Sequence, residues 1–487
     1  MVNYSRDNKP FSEVCYNAYG RSIIYTNATT IDETNIEQEL GKALALHWKN
    51  RTEIDYLERY YKGDQPINYI EKAVRPEINN KILINHALEI VQHKAGENFG
   101  EPIQYVLKGT DETSKETKSI ELNLLNDYNE IENKAEVDIQ MAIDRSYCGT
   151  SYKFHYVKDT YTEDEAPFGI DREDPKDTFV VYSSDSGHRP MFSCQVRKDE
   201  KNKMYYFIYT ETQTFKTYRS NLENEMEIGI NAIGYIPVVE YPNGYYRLSD
   251  IEIVISILDA INKTESNRAN GLDQFIQSFM KFINCEVDED EFAKMREYGA
   301  ITVKGGGNGQ KVDVEIMSNE LDQNNTQTFK DDLYDSMLVV NGMPDRQENS
   351  GGDTGQAVVL RNGFYFSENR AELAEPTYKK AERESIKIVL SILRKLSNVQ
   401  ISTLVMKDIE IKITRSKMDN MAVKAQVFQV LCTSGVDEKV ALKVCNLFSD
   451  PEEVYLESKE RFDLLYPKTA PQENTATNVT DTTPANI

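Results

Sequence analysis

The chain has 487 residues, 39% of them hydrophobic, with 29 Tyr and 18 Phe, enough for several domains and too apolar for wholesale disorder. A mean hydropathy of −0.58 and the lack of any ~20-residue apolar run exclude a transmembrane helix. Its 80 acidic and 56 basic residues leave a net charge of −24, the wrong sign for gripping phosphates: either there is no nucleic-acid partner, or there is one that must not stick.

The opening MVNYSRDNKPFSEV lacks the basic-then-apolar layout of a signal peptide, which predicts a cytoplasmic location. The cysteines at 15, 148, 194, 285, 432 and 445 show no C-x-x-C spacing and read as separate reduced thiols. Residues 1–40 are polar and aperiodic, which predicts weak order. A helix is predicted over 37–62, with Leu40, Ala43, Leu44, Trp48, Ile54 and Leu57 on its stripe. A second follows Asn79 or Asn80 as N-cap, burying Leu83, Ala87, Ile90 and Val91. Then come a short strand, IQYVL, and a third helix through 118–146. From 150 to 242 the period changes to two, in short runs such as SYKFHYV, TFVVY and KMYYFIYT, as in an antiparallel meander.

SDIE at 249–252 is a capping box that opens a run without breakers, Gly271 apart, to Asn284. Those 36 residues as helix would span ~54 Å. Ile251, Val254, Ile255 and Leu258, then Leu272, Ile276 and Phe279, make its ends amphipathic, but its middle, NKTESNRAN (262–270), is polar nearly all round. Such a middle is a solvated face, crosses solvent, or packs against polar faces of neighbours. A short helix in EDEFAKMREYG, the strand AITVKG, a GGNG turn and KVDVEIM then make a helix-plus-hairpin unit. A helix at 325–341 carries Phe329, Leu333, Met337 and Val340 on one stripe. The hydrophilic stretch GMPDRQENSGGDTG (342–355) separates it from a long helical run, 356–397, interrupted near Pro376. The strand IEIKIT (409–414) and a helical region at 417–464 follow, and the last ~20 residues have a disordered composition.

No catalytic pattern emerges. The histidines at 47, 86, 93, 155 and 188 form no metal-binding pair, and KGGGNGQK (304–311) lacks the G-K-[ST] ending of a phosphate loop and reads as a hairpin turn. No G-x-S-x-G elbow occurs, and EVDEDE (286–291) and DRED (171–174) read as solvated acidic faces.

Several strings in order resemble the portal proteins of tailed bacteriophages, of the large siphovirus-type family. They are RYYKGDQPI (59–67), NNKILINHALEIVQHKAGENFGEPIQY (79–105), DRSYCGTSYKFHYV (144–157), IPVVEYPN with LSDIEIVISILDAINKTESNRAN (236–270), GMPD with GGDTGQAVVLRN (342–362) and, more loosely, ITRSKMDNMAVKAQVFQVLCTSGV (413–436). The resemblance covers roughly 50–465. It implies an α+β multidomain portal fold with long stem helices, a small α/β clip, a mixed α+β wing and a helical crown, closed into a cyclic ring of about twelve subunits. Duplex DNA passes through the ring at one capsid vertex during packaging and ejection.

Carried over string by string, 41–248 is the wing, 249–278 the descending stem helix and 279–320 the clip. Residues 321–341 return up the stem, 342–355 are the tunnel loop, 356–414 a wing helix and strand, 415–466 the crown and 467–487 a tail. The implied DNA-facing loop residues are Pro344, Asp345, Arg346, Gln347, Glu348, Asn349 and Ser350, with Gly342, Gly351, Gly352 and Gly355 giving backbone freedom. Lys263, Arg268 and Lys281 are the positive groups on the stem, which soften repulsion of DNA without trapping it. Asp288, Glu289, Asp290, Phe292, Met295 and Tyr298 are the implied clip contacts. The implied partners are other copies of the chain, the terminase motor, head–tail adaptors, and the major capsid and scaffolding proteins. No cofactor, metal or membrane is expected, and the location is the virion after assembly in a bacterial cytoplasm. Two other classes stay open: a carboxylate/Mg²⁺-dependent nuclease or hydrolase of packaging, and a helical scaffold or adaptor without a channel.

Overall fold

The period-two runs of the first half form two sheets, not one meander. β5 (Thr178–Ser183), β6 (Pro190–Lys198), β7 (Met204–Tyr209), β8 (Gln213–Tyr218) and β9 (Met226–Ile230) run antiparallel in sequence order. β1 (Ile24–Thr26) adds to this sheet by pairing in parallel with β5. So the part of the N-terminal segment from residue 20 onward is an ordered edge, against expectation, because Ile24 enters the apolar core beneath the sheet. β10 (Val238–Pro242), β3 (Thr150–Val157) and β4 (Phe168–Glu173) make a separate antiparallel sheet. The computed structural model describes residues 20–73, 76–108, 112–162, 164–218, 226–276, 279–283, 313–317, 323–345, 364–396, 401–414, 421–445, 454–459 and 461.

α1 (Ile36–Tyr61) buries Leu40, Ala43, Ile54 and Leu57 as its spacing requires. Trp48 is 54% exposed, however, and His47 takes the inward position, stacked on Phe179 at 4.5 Å. α1 packs first on the six-stranded sheet and then on helices, so one straight stripe does not describe both halves. α2 (His86–Phe99) starts six residues later than Asn79, or five later than Asn80, would place it. Its N-cap is Asn85, whose side chain accepts from the Leu88 amide at 3.3 Å. The predicted third helix is two, α3 (Glu112–Ile131) and α4 (Lys134–Cys148), split where Asn133 turns left-handed at φ 50°. β2 (Gln104–Leu107) pairs antiparallel with β13 (Ile409–Lys412), tying together segments 300 residues apart.

α5 (Ile255–Ile276) and α6 (Gln323–Asn341) pack against each other as a helical hairpin. α7 (Phe364–Lys395) continues through Pro376, against expectation, and the face after it, including Tyr378, Glu382, Ser385 and Leu393, packs on the three-stranded sheet. Contacts divide the chain into Met1–Arg415 and Ser416–Ile487. In the second unit α8 (Met421–Thr433) and α9 (Glu438–Cys445) bury Cys432, Ala441, Leu442 and Cys445. The four described cysteines are free thiols, as their spacing predicts.

Where α4, β3 and α7 meet, four charges lie out of water. Lys153 Nζ reaches Asp138 at 2.8 Å and Glu382 at 3.0 Å, and Lys134 Nζ reaches Glu382 at 2.8 Å and Asp138 at 2.5 Å. The hydroxyls of Tyr105 and Tyr241 donate to Glu382, and that of Tyr378 to Asp138. Burial raises the Glu382 carboxyl, but Lys134 and Lys153 more than reverse this and hold it well below the usual range. Beside this cluster, His155 links the Pro237 carbonyl at 3.1 Å to the Ser385 hydroxyl at 2.7 Å.

Burial lowers both His155 and His47 to about 4, helped at His155 by Lys153 and opposed at His47 by the Lys176 carbonyl. Their folded pKa lies below the unfolded value, so the stability they contribute is complete above ~6.5 and is lost as pH falls towards 4. Each histidine accounts for about 3 kcal/mol over that window. We expect the Tm advantage of wild type over His155→Gln to shrink as pH drops from 7 to 4.5; a constant gap would contradict the assignment.

Candidate functional site

The predicted capping box forms only in part: Glu252 Oε2 accepts from the Ser249 amide at 2.7 Å, but Ser249 Oγ accepts from the Ile251 amide at 3.0 Å rather than from Glu252, and the first helical turn, Glu252–Val254, has Ile251 as its N-cap. The other carboxylate oxygen of Glu252 pairs with the buried Arg21 guanidinium, which fastens the N-terminal segment to the start of this helix. After a single 3-10 turn, α5 runs only to Ile276. The predicted helix to Asn284 is wrong beyond that point, since FMKFI forms β11 (Phe279–Ile283), antiparallel to β12 (Asp313–Met317). An aromatic-rich stretch gains more from cross-strand pairing than from one more helical turn.

The polar middle of α5 is solvated on one face only, at Lys263 and Asn267, and buries another within its own domain. Asn262, Ser266 and Asn270 are 1%, 3% and 3% exposed. They stand at i, i+4 and i+8, on one face, and hold an extended strap at 79–85. Asn262 Oδ1 accepts from the Ile84 amide at 2.8 Å, Ser266 Oγ from Ile82 at 2.9 Å, and Asn270 Oδ1 from Asn80 at 2.7 Å. Every second backbone amide of the strap is thus satisfied by one turn of helix, as in a strand ladder. Asn262 Nδ2 also donates to the buried Gln65 side chain at 2.7 Å. The signal was present in the sequence as a regular stripe of small side chains with hydrogen-bonding groups; only its partner was invisible.

A second face of α5 meets α6. Lys330 Nζ lies 3.1 Å from Glu265, and Arg268 Nη1 reaches Gln327 at 2.9 Å and Glu265 at 3.1 Å. Of the three positive groups expected on a stem, Arg268 is therefore held inside the hairpin, Lys263 is exposed, and Lys281 stands opposite Glu315 in the strand pair. The predicted stripe of α6 is corrected: Met337 and Leu338 are buried, whereas Phe329 and Val340 are 53% and 38% exposed. Leu272 on α5 is exposed as well. Tyr60 donates to Asp259 at 2.8 Å, yet burial outweighs that bond and raises the Asp259 carboxyl to about 6.

α6 ends in a Schellman motif. Gly342 has φ +63°, its amide reaches the Val339 carbonyl at 3.1 Å, and the Met343 amide reaches Leu338 at 2.8 Å. Met343 then packs into the same core as Leu338. Arg370 of α7 covers the turn and donates to the Val340 carbonyl, so a Cβ at 342 would lie 2.6 Å from its Cδ. Gly342 is a fixed stop, not a hinge. Pro344 is buried, which removes it from the DNA-facing set, and Asp345 is half-buried. Arg346, Gln347, Glu348, Asn349 and Ser350 lie outside the described residues, as do Gly351, Gly352 and Gly355, the residues expected as clip contacts, Asp288, Glu289, Asp290, Phe292, Met295 and Tyr298, and the stretch 304–311 expected as a hairpin turn.

Acidic groups gather on the outside of α6: burial and then the charges of Asp345, Asp331 and Asp332 raise the Asp335 carboxyl. The DRED string is ion-paired, Arg172 with Asp144 at 2.5 Å and Glu173 with Arg197 at 2.6 Å. Among the described residues no group of three or more His, Cys, Asp or Glu is placed to hold a metal, and no helix is long and apolar enough to cross a membrane.

A family model described as phage portal protein, SPP1 Gp6-like, matches residues 40–463. The curated proteins give no match. Among solved structures, the chain is similar to one from the "Neck of empty GTA particle computed with C6 symmetry", at 12% identity and TM-score 0.45, covering 81% of this chain and 93% of that one. It is also similar to one from the "Virion of native gene transfer agent (GTA) particle", at 12% identity and TM-score 0.42, with the same coverage.

Removing a rung of the ladder leaves a strap amide and its neighbours without partners, at a cost of roughly 1–3 kcal/mol. Asn262→Ala should lower Tm accordingly and open the strap to trypsin at Lys81, whereas Asn267→Ala, on the exposed flank, should change neither. Equal behaviour of the two variants would refute the ladder's role.

Proposed function

Because the chain belongs to the SPP1 Gp6-like family of phage portal proteins, and so serves as the portal and connector of a phage-like head, we propose that it works as a closed ring of identical subunits, about twelve, passing duplex DNA through a central channel. The observation that carries this reading is the α5–α6 hairpin. One end is rooted in the core through Val254, Ile255, Leu258, Met337 and Leu338. From there the hairpin runs out to the β11–β12 pair with both outer flanks exposed, a stalk with more uncovered helix than a solitary subunit needs.

In this reading the hairpin is the stem, and residues 279–320 are the clip that docks the terminase motor and later the head–tail adaptors. The stretch from Asp345 to Gly355 is the tunnel loop. The wing and crown meet the major capsid and scaffolding proteins. The role is structural and not enzymatic, and the protein is a virion component assembled in the host cytoplasm. The charge balance suits the task. A duplex carries about one negative charge per ~1.7 Å of axis, and a channel for sliding must not hold it. Asp345, Glu348 and Asp353 outnumber Arg346 in the loop, and Arg268 is already paired with Glu265.

Native mass measurement of the purified chain should give a cyclic oligomer; a monomer at every concentration and salt would contradict the ring. Linear duplex DNA should bind the ring without sequence preference and more weakly than about 10⁻⁶ M at physiological salt, measured by fluorescence anisotropy; tight, sequence-specific binding would count against a channel. Shortening 342–355 to GMPGGDTG keeps the fixed Gly342–Pro344 turn and removes Asp345–Ser350. Rings should form normally while packaged genomes fall. Normal packaging would make the stretch a plain connector.

A further inference from the structure

We propose that the two outer flanks of the α5–α6 hairpin are the two halves of one seam between copies of this chain, with Lys263 of one copy set against Asp332 and Asp335 of the next. The proposal rests on the ring reading above and assigns the contact that closes it. Across the hairpin Glu265 meets Lys330 and Arg268 meets Gln327. The numbers of facing residues therefore keep a constant sum, and Lys263 stands level with Asp332. At ~100° per residue, Lys263 lies about half a turn around α5 from the side that meets α6, and Asp332 about half a turn around α6 from the side that meets α5. The cation and the acid occupy opposite flanks at one height.

A ring joins two unlike flanks of the same subunit, and rotation about its axis leaves height unchanged. A hairpin standing along the axis thus brings Lys263 beside Asp332 of the neighbour, and Asp335 lies one helical turn away. Both flanks are open, and among the described residues neither Lys263 nor Asp332 nor Asp335 has an ion-pair partner. The acids crowd one another with no described cation to offset them. Val339, 69% exposed, projects beside the acids, and by the constant sum it stands level with the small side chain of Ser256 on the α5 flank. Lys263 then serves the contact between copies rather than the passing DNA.

A charge swap tests the seam. The full chain is compared with Lys263→Glu, Asp332→Lys and Asp335→Lys, and with each acid reversal combined with Lys263→Glu, by native mass and sedimentation over a concentration series. Lys263→Glu should raise the concentration for half-assembly about tenfold, an effect that shrinks near 1 M salt. One of the two combined variants should return it to within about threefold of wild type. The Tm of the dilute, unassembled subunit should stay unchanged, which separates a seam defect from misfolding. Wild-type rings with unaffected Lys263→Glu rings overturn the seam alone, as does failure of both combinations to rescue. A wild-type chain that never forms rings overturns the ring reading and the seam with it.

Discussion

Lys134, Lys153, Asp138 and Glu382 balance to zero charge in a place water does not reach, and each depends on the other three. A buried ion pair contributes little net stability over apolar packing, but a single buried charge without its partner costs several kcal/mol. That asymmetry makes the cluster a device for position: α4, β3 and α7 can dock in one arrangement only, because any slip strands a charge. Three tyrosine hydroxyls from β2, β10 and α7 take up the remaining carboxylate lone pairs, so the β2–β13 pair and the β3–β4–β10 sheet share the constraint. The α5–α6 hairpin inherits it. α7 carries Arg370, which covers Gly342 and holds the end of α6, and Ser367, which donates to Glu97 of α2. The turn at Gly342 is therefore positioned from twelve residues further along α7, by the docking of Glu382.

The same reasoning separates the polar groups of the stem by what they do. Asn262, Ser266 and Asn270 face a backbone strap that needs hydrogen-bond partners, and they supply them. Glu265, Arg268, Gln327 and Lys330 face the other helix and neutralise one another. Lys263 and the aspartates of α6 face neither. A two-helix stalk so constructed spends two polar faces on its own cohesion and keeps the rest of its charge for whatever stands beside it. The net −24 of the chain acts at long range and opposes tight binding of any polyanion.

Local periodicity made much of the architecture legible before any coordinates. The 3.6-residue pattern marked α1, α6 and the helices after 417, the alternation at 150–242 marked a β-rich half, and SDIE marked the root of the stem. Each of these depends on neighbours in sequence, so composition within a short window suffices. The errors share one cause. Asn79 and Asn80 resemble N-caps locally, but the strap they belong to is drawn out by α5, about 180 residues away. β1 is too short to read as a strand until β5 offers an edge. Lys153 and His155 sit in a run that reads as alternating, yet both are buried, and only α7 explains how.

By itself the sequence determined most of the helices, the β-rich half, the acid excess, the absence of a catalytic pattern and, through ordered strings of residues, the family to which the chain belongs. These are properties of short windows and of their order along the chain. Only the tertiary structure decided which polar residues are committed and which are open. Asn262 and Lys263 are adjacent in sequence and equally polar, but one is sealed against a strap and the other is exposed. A helix turns ~100° per residue, so neighbours in the chain face different partners, and which partner lies in each direction is settled by contacts between segments far apart in sequence.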